Sequence, residues 1–132
     1  MTKNVYIASA ARLPIGKFGG SLSRLSLTEL GTLASREAID RSGIPAADID
    51  TAVASNVLPV VPSDLYIGRK VALGVGMPDS STALGVNRLC GSGVQAIISA
   101  AQLLQSGDGT TALVAGVESM SQAPYSGDGM SS

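Results

Sequence analysis

Four short apolar runs alternate along this chain with three longer stretches in which apolar positions recur every three or four residues. The runs Val5 to Ala10, Thr51 to Leu58, Thr82 to Val86 and Thr111 to Ala115 are nearly continuous in apolar and small residues. That pattern predicts strands buried on both faces rather than strands with one wet face. Between the first two runs, Ser26-Leu27-Thr28-Glu29 has the form of a capping box, in which a hydroxyl and a carboxylate reciprocally satisfy free N–H groups at a helix start. Leu27, Leu30, Ala34 and Ala38 continue that helix at the right spacing, flanked by Leu33 and Ile39. Gly43 is the C-cap candidate, and Pro45 prevents the helix from resuming. Pro59 and Pro62 break the chain after the second run. Ser63 or Asp64 is placed to cap a second helix through Leu65, Tyr66, Ile67, Val71, Ala72 and Leu73, fraying at Gly74-Val75-Gly76. A third helix spans Gly93 to Gln105, with Val94, Ile97, Ile98, Ala101 and Leu104 on one side, and Gly107-Asp108-Gly109 stops it.

The order βαβαβαβ predicts an α/β fold: a mostly parallel sheet with helices on both faces. Parallel crossovers bring the carboxyl ends of the strands to one edge, where open α/β sheets place their sites. A four-stranded sheet of this size would leave apolar surface uncovered, which points to further chain or a partner. Residues 1–125 read as one domain, and the Ser/Gly-rich stretch 126–132 as a linker or disordered segment.

Composition narrows the partners. At 132 residues the chain fits one compact domain, and with no Trp, one Phe and three Tyr its core must be aliphatic. A net charge of −1 gives no electrostatic footprint for nucleic acid or an anionic membrane, so neither is an expected partner. No stretch reaches the ~20 apolar residues that span a bilayer. The start, Val5 to Ala11, superficially resembles a secretion signal, but the run is too short and Arg12 interrupts it. The one cysteine cannot form an internal disulfide, which fits a reducing, cytoplasmic setting.

That cysteine is also the strongest candidate for chemistry. Cys90 sits in Asn87-Arg88-Leu89-Cys90-Gly91-Ser92-Gly93, where a strand turns into a helix. A helix N-terminus favours the thiolate, which is the nucleophilic form. Gly91 and Gly93 permit a tight strand-to-helix turn and close substrate approach, as at the nucleophile elbow of hydrolases. Nearby backbone N–H groups could also face a developing oxyanion. The competing reading is a buried structural cysteine. The chain has no histidine, so the usual partner of a catalytic cysteine is not among these residues.

Other motifs carry less. Gly16-Lys17-Phe18-Gly19-Gly20-Ser21 is not a phosphate loop, because Ala11 and Phe18 stand where Gly and Ser or Thr are required. It reads as a turn. Glu118, in Gly116-Val117-Glu118-Ser119-Met120-Ser121, either acts on a proton or ties down a loop. The Gly-Asp-Gly triplets lack calcium-loop spacing, and one Cys without His makes no zinc site, so no metal is expected. Arg12, Arg69 and Arg88 serve equally well as ion-pair or solvent residues and as ligand clamps.

Three of these segments, taken in order, resemble the N-terminal part of thiolases, the acetyl-CoA acetyltransferase and 3-ketoacyl-CoA thiolase family. They are Ala11-Arg12-Leu13-Pro14-Ile15-Gly16-Lys17-Phe18-Gly19-Gly20, the Cys90 motif, and Gly116-Val117-Glu118-Ser119-Met120-Ser121-Gln122-Ala123-Pro124-Tyr125. The resemblance implies that Cys90 attacks an acyl-CoA thioester, with its own backbone N–H in one oxyanion hole. The acyl group then passes to a second acetyl-CoA in a Claisen condensation, or CoA cleaves a 3-ketoacyl-CoA in reverse. No bound cofactor is implied; CoA thioesters and CoA are substrates, and which residues bind them is left unassigned. Leu13 stands where Thr is usual and Ala115 where many members have a second Gly. Ser63-Asp64-Leu65-Tyr66 with Arg88-Leu89 looks most like the β-ketothiolase subgroup of broad chain-length preference. In that family the activating His, a second acid/base Cys and most CoA contacts lie in the later half. The resemblance therefore implies a segment that works within a homodimer or homotetramer, requires a C-terminal half, and is inactive alone. The alternatives are a non-catalytic half-thiolase serving as an interaction or assembly module, and a lone-cysteine redox sensor.

Overall fold

The computed structural model describes residues 3–124. Helix α1 (Leu27–Ser42) begins at the capping box, where Ser26 Oγ accepts from Glu29 N–H at 3.2 Å and Glu29 Oε2 accepts from Ser26 N–H at 2.8 Å. Those bonds to Ser26 hold the Glu29 carboxyl below the usual carboxylate range. The helix stops at Gly43, whose φ of 69° suits a residue without Cβ. Strand β1 (Thr51–Ser55) is buried along its whole length, and it stops three residues short of the apolar run that announced it. Helix α2 (Ile67–Gly74), strand β2 (Thr82–Val86), helix α3 (Ser92–Ser106) and strand β3 (Ala112–Gly116) follow.

The sheet has the order β2-β1-β3, with both pairs parallel and Thr51 opposite Thr82 on one side and Ala112 on the other. The chain steps from β1 to β2 through α2, then returns past β1 to β3 through α3. Right-handed crossovers put the two connecting helices on opposite faces, and the packing follows that rule. Ala52, Ala54 and Leu113 point into a cluster with Leu27, Leu30, Ile67 and Val71 from α1 and α2. Val53 points the other way, onto Ala96 and Ala100 of α3, with Ala112 and Val114 beside it. This is the two-residue alternation of a strand with both faces covered. Helix α1 approaches α2 closely because Gly31 has no side chain; a Cβ there would lie 2.8 Å from Val71 Cγ2.

Besides β2, which is exposed from Thr82 to Gly85 because it lies at the sheet edge rather than buried on both faces, two expectations change. Val5 to Ala10, expected as the first strand, does not pair, so the sheet contains three strands among the described residues. The segment is pinned by side chains instead: Ser9 Oγ donates to the Ala38 carbonyl, Arg41 Nη1 to the Ala10 carbonyl, and Gln105 Nε2 to the Lys3 carbonyl. It shares a cavity of about 440 Å³ with the edge of β3 and with residues of α1 and α3. An apolar β-rich sequence favours an extended chain, but a strand exists only with a hydrogen-bonded neighbour. The second change concerns Asp64, which lies in a short 3-10 turn (Pro62–Tyr66) before α2 and does not cap α2 itself. Its Oδ2 accepts from the N–H groups of Val60 (3.1 Å) and Val61 (3.0 Å), and its Oδ1 from Lys70 Nζ at 3.0 Å. Burial, at 3% exposure, pushes this carboxyl up, but those hydrogen bonds and the Lys70 charge together leave it below the usual range. The stretch 126–132 expected as a linker lies outside the described residues.

Candidate functional site at the carboxyl edge of the sheet

All three strands end at one edge, and the segments that follow them build the site. After β2, residues Asn87 to Gly91 turn sharply into α3. Leu89 takes a φ of 49°, a left-handed conformation that costs a side-chain-bearing residue about 1–2 kcal/mol. Four bonds hold it there. Asn87 Oδ1 accepts from Leu89 N–H at 3.0 Å, the Leu89 carbonyl accepts from Ser92 Oγ (2.7 Å) and Ser92 N–H (3.0 Å), and Ser92 Oγ accepts from Arg88 N–H at 2.7 Å. The next residue is Cys90, a free, exposed cysteine. Among the described residues it is not buried. Gly91 is the N-cap and offers no side-chain cap, and the first turn of α3 has no acidic residue. The positive end of that 15-residue helix therefore lies beside the thiol with no carboxylate in its first turn to offset it. A Cβ added at Gly93 would meet nothing within 4 Å, so open space adjoins the turn.

Glu118, two residues past β3, resolves to the loop-tying role. Its Oε1 accepts from Val57 N–H at 2.5 Å, and its Oε2 from Leu58 N–H (3.3 Å) and Asn56 Nδ2 (3.2 Å). Asn87 Nδ2 then donates to the Val57 carbonyl at 3.3 Å. Glu118 and the Cys90 turn are thus brought to the same edge and joined through the residues after β1. No hydrogen bond links Cys90 to Glu118 directly among the described residues. The amides of Asn56 and Asn87 escaped the sequence reading; an Asn directly after an apolar strand was the available signal.

The remaining candidates make contacts within the chain. Arg69 ties down the loop before β2, donating from Nη1 to the Ser81 carbonyl and from Nη2 to the Asp79 carbonyl, both at 3.0 Å. Arg88 pairs with Gln95 Oε1 at 2.7 Å, and Arg12 contacts the Leu13 carbonyl. The Gly16–Ser21 segment is a turn closed by Gly20 N–H on the Lys17 carbonyl, and Gly19 N–H donates to Ser121 Oγ at 2.9 Å. Among the described residues no group of three or more Cys, Asp or Glu could hold a metal ion. No helix among them is long and apolar enough to cross a membrane.

A parallel α/β sheet with helices on both faces and an exposed cysteine on a strand-to-helix elbow places the chain among the open α/β proteins. The relatives narrow that class. Residues 5–132 match the thiolase N-terminal domain family. The chain is 47% identical over 125 residues to the beta-ketothiolase BktB of Cupriavidus necator, covering 95% of this chain and 32% of that protein. The crystal structure of human mitochondrial 3-ketoacyl-CoA thiolase in complex with CoA superposes with a TM-score of 0.89 at 36% identity, over 92% of this chain and 31% of that one. The Bacillus anthracis acetyl-CoA acetyltransferase matches with a TM-score of 0.88, also at 36% identity, over 95% of this chain and 32% of its own. The chain belongs to the thiolase family. It spans about a third of the length of the curated relatives it matches.

Proposed function

We propose that this chain carries the acyl-accepting nucleophile of a thiolase, and that the nucleophile is Cys90. The observation that carries the proposal is the free, exposed thiol on the elbow before α3, in a chain of this family. In the first step Cys90 Sγ, as thiolate, adds to the carbonyl carbon of an acyl-CoA thioester. A carbonyl electron pair moves onto oxygen; its return breaks the carbon–sulfur bond to CoA, and the proton given up by Cys90 ends on the released CoA thiol. Nothing is oxidised or reduced. The exchange of one thioester for another is nearly balanced, so a difficult condensation is split into two easier steps. The proposed oxyanion donor is the N–H of Cys90, because those of Gly91 and Ser92 are committed to the Arg88 and Leu89 carbonyls at 3.0 Å. In the second step acetyl-CoA loses an α-proton to a base supplied by the further chain, its carbanion adds to the acyl carbon, and the carbon–sulfur bond to Cys90 breaks to release the thiolate. In reverse, Cys90 attacks the 3-keto carbon of a 3-ketoacyl-CoA, the carbon–carbon bond breaks to release acetyl-CoA, and CoA then takes the acyl group from Cys90.

With no histidine and one cysteine, these residues do not provide the activating imidazole or a second thiol. The activity is therefore proposed for a polypeptide in which further chain contributes them, and the 132 residues alone are proposed to be inactive. The cavity between Val5–Ala11 and the edge of β3 supports this, since it presents unpaired backbone on β3 and apolar walls from α1 and α3. A homodimer or homotetramer is the proposed assembly. Edge strand β2 is exposed from Thr82 to Gly85, and an open edge of this kind is normally covered. A reducing cytoplasm is the proposed compartment, in keeping with a free exposed thiol.

Alkylation tests the assignment. In the full-length polypeptide, iodoacetamide is expected to modify Cys90 far faster than it modifies glutathione at neutral pH. A rate no faster than that of glutathione refutes the nucleophile and leaves the half-thiolase assembly module. Rapid sulfenate formation with peroxide, without any reaction with acyl-CoA, identifies a redox sensor instead.

A further inference from the structure

We infer that Glu118 and Asn87 are positioning residues for Cys90, acting together through the peptide unit that joins Val57 to Leu58; the inference rests on the reading of Cys90 as the acyl acceptor. Strand β1 ends at Ser55, so the backbone groups of Val57 and Leu58 have left the ladder and need other partners. Glu118 supplies them on one side, accepting from Val57 N–H at 2.5 Å and Leu58 N–H at 3.3 Å. Asn87 supplies the other, donating from Nδ2 to the Val57 carbonyl at 3.3 Å. The Leu58 N–H and the Val57 carbonyl belong to one amide, which is gripped by a carboxylate at its nitrogen end and a carboxamide at its oxygen end. Charge-assisted bonds are the stronger kind, and bonds in series polarise one another, so the two grips reinforce each other.

The same carboxamide carries the constraint onward. With its Nδ2 fixed on Val57, the Asn87 Oδ1 is aimed at Leu89 N–H, where the bond is 3.0 Å. Leu89 holds a φ of 49°, and a conformation that sparsely populated persists only where the surroundings over-determine it. The backbone of Leu89 sets the direction in which the Cys90 Cα–Cβ bond leaves the turn. Released from Asn87, Leu89 gains access to negative φ, and Cys90 Sγ moves with it. A displacement of about 1 Å at a reacting atom costs on the order of 100-fold in rate. Among the described residues Glu118 makes no hydrogen bond to Cys90 or its turn, yet it fixes the loop on which Asn87 rests. Three strand ends are thereby keyed to one another: β3 through Glu118, β1 through Val57, and β2 through Asn87.

The test is a double-mutant cycle in the full-length polypeptide, with Asn87→Ala, Glu118→Gln and the pair. Single-turnover acylation of Cys90 by acetyl-CoA is followed over a range of acetyl-CoA concentrations. Each single variant is expected to slow acylation by about ten-fold or more with the half-saturating concentration unchanged. The double variant is expected to be no slower than the worse single within about two-fold, since both residues act through one amide. A purely structural role gives losses that multiply and that follow the fall in Tm. Acylation within two-fold of the parent in both single variants, or a double loss equal to the product of the singles, overturns the inference. Asn87 is exposed, so if Glu118→Gln fails to fold, Asn87→Ala that acylates within two-fold of the parent still overturns the inference. If the parent protein acquires no acyl group at Cys90, the acyl-acceptor reading fails, and iodoacetamide rates still judge positioning: a non-additive slowing supports it, unchanged rates overturn it.

Discussion

Replacing Gly93 with alanine should make this protein more stable and a poorer acyl acceptor. Gly93 is the second residue of α3, three positions past Cys90, and a Cβ there meets no atom within 4 Å. Glycine inside a helix costs about 0.5–1 kcal/mol relative to alanine, so the substitution is expected to recover that amount. The corresponding rise in Tm is about 1–5 °C. The empty space has a second meaning if Cys90 is the nucleophile, because the thioester must come within about 3–3.5 Å of Sγ on the accessible side of the turn. A methyl group pushing the substrate back by about 1 Å slows single-turnover acylation by about 10- to 100-fold. Gly107→Ala is the control. Gly107 ends α3 with a φ of 95°, so alanine there is strained and should lower Tm while leaving acylation unchanged. Thermal denaturation and quenched-flow acylation of the full-length polypeptide read both effects. A more stable Gly93→Ala protein that acylates at the parent rate refutes the close-approach reasoning, and a less stable one refutes the claim of free space.

Two further outcomes follow from the packing. Asp64→Asn removes the charge that holds two N–H groups and Lys70, and should cost about 1–3 kcal/mol by urea denaturation at pH 7. Because the folded state depresses the Asp64 pKa, that contribution is complete above the unfolded value of about 3.9 and is lost as pH falls through the lower, folded value. The gap between parent and variant should therefore narrow only below about pH 4, and a gap independent of pH contradicts the reading. Gly31→Ala places a Cβ 2.8 Å from Val71 Cγ2 and should destabilise by about 1–3 kcal/mol. In the Gly31→Ala/Val71→Ala double variant the loss should be smaller than the sum of the two, and simple additivity would mean that the helices do not meet there.

What the sequence revealed and what it hid divide along the range of the interactions. The capping box at Ser26 and Glu29, the Gly43 stop and the elbow at Cys90 each depend on residues within a few positions of one another, and all stand where the local pattern put them. The two-faced burial of β1 was legible because a run without polar alternation has only one stable setting. Val5 to Ala10 misled for the complementary reason: its composition is that of a strand, but pairing is a property of the neighbour and not of the segment. Asp64 reads in sequence as a cap for the following helix, because an acceptor for the Val60 and Val61 N–H groups looks the same there as an acceptor for that helix. The ties from Glu118 to Val57 and from Asn87 to Val57 span 61 and 30 residues, and no spacing rule reaches that far. Glu118 stands out in sequence only through its motif after the last strand.

The central claim, that Cys90 accepts an acyl group from a CoA thioester, is tested most directly by catching the acyl-enzyme. Full-length polypeptide is mixed with isotopically labelled acetyl-CoA, quenched in acid and digested, and the label is located by peptide mass. The account predicts one acetyl group per chain on the peptide containing Cys90, released by free CoA and absent from Cys90→Ala. Label on another residue, or no label under conditions where the protein is folded, would contradict it.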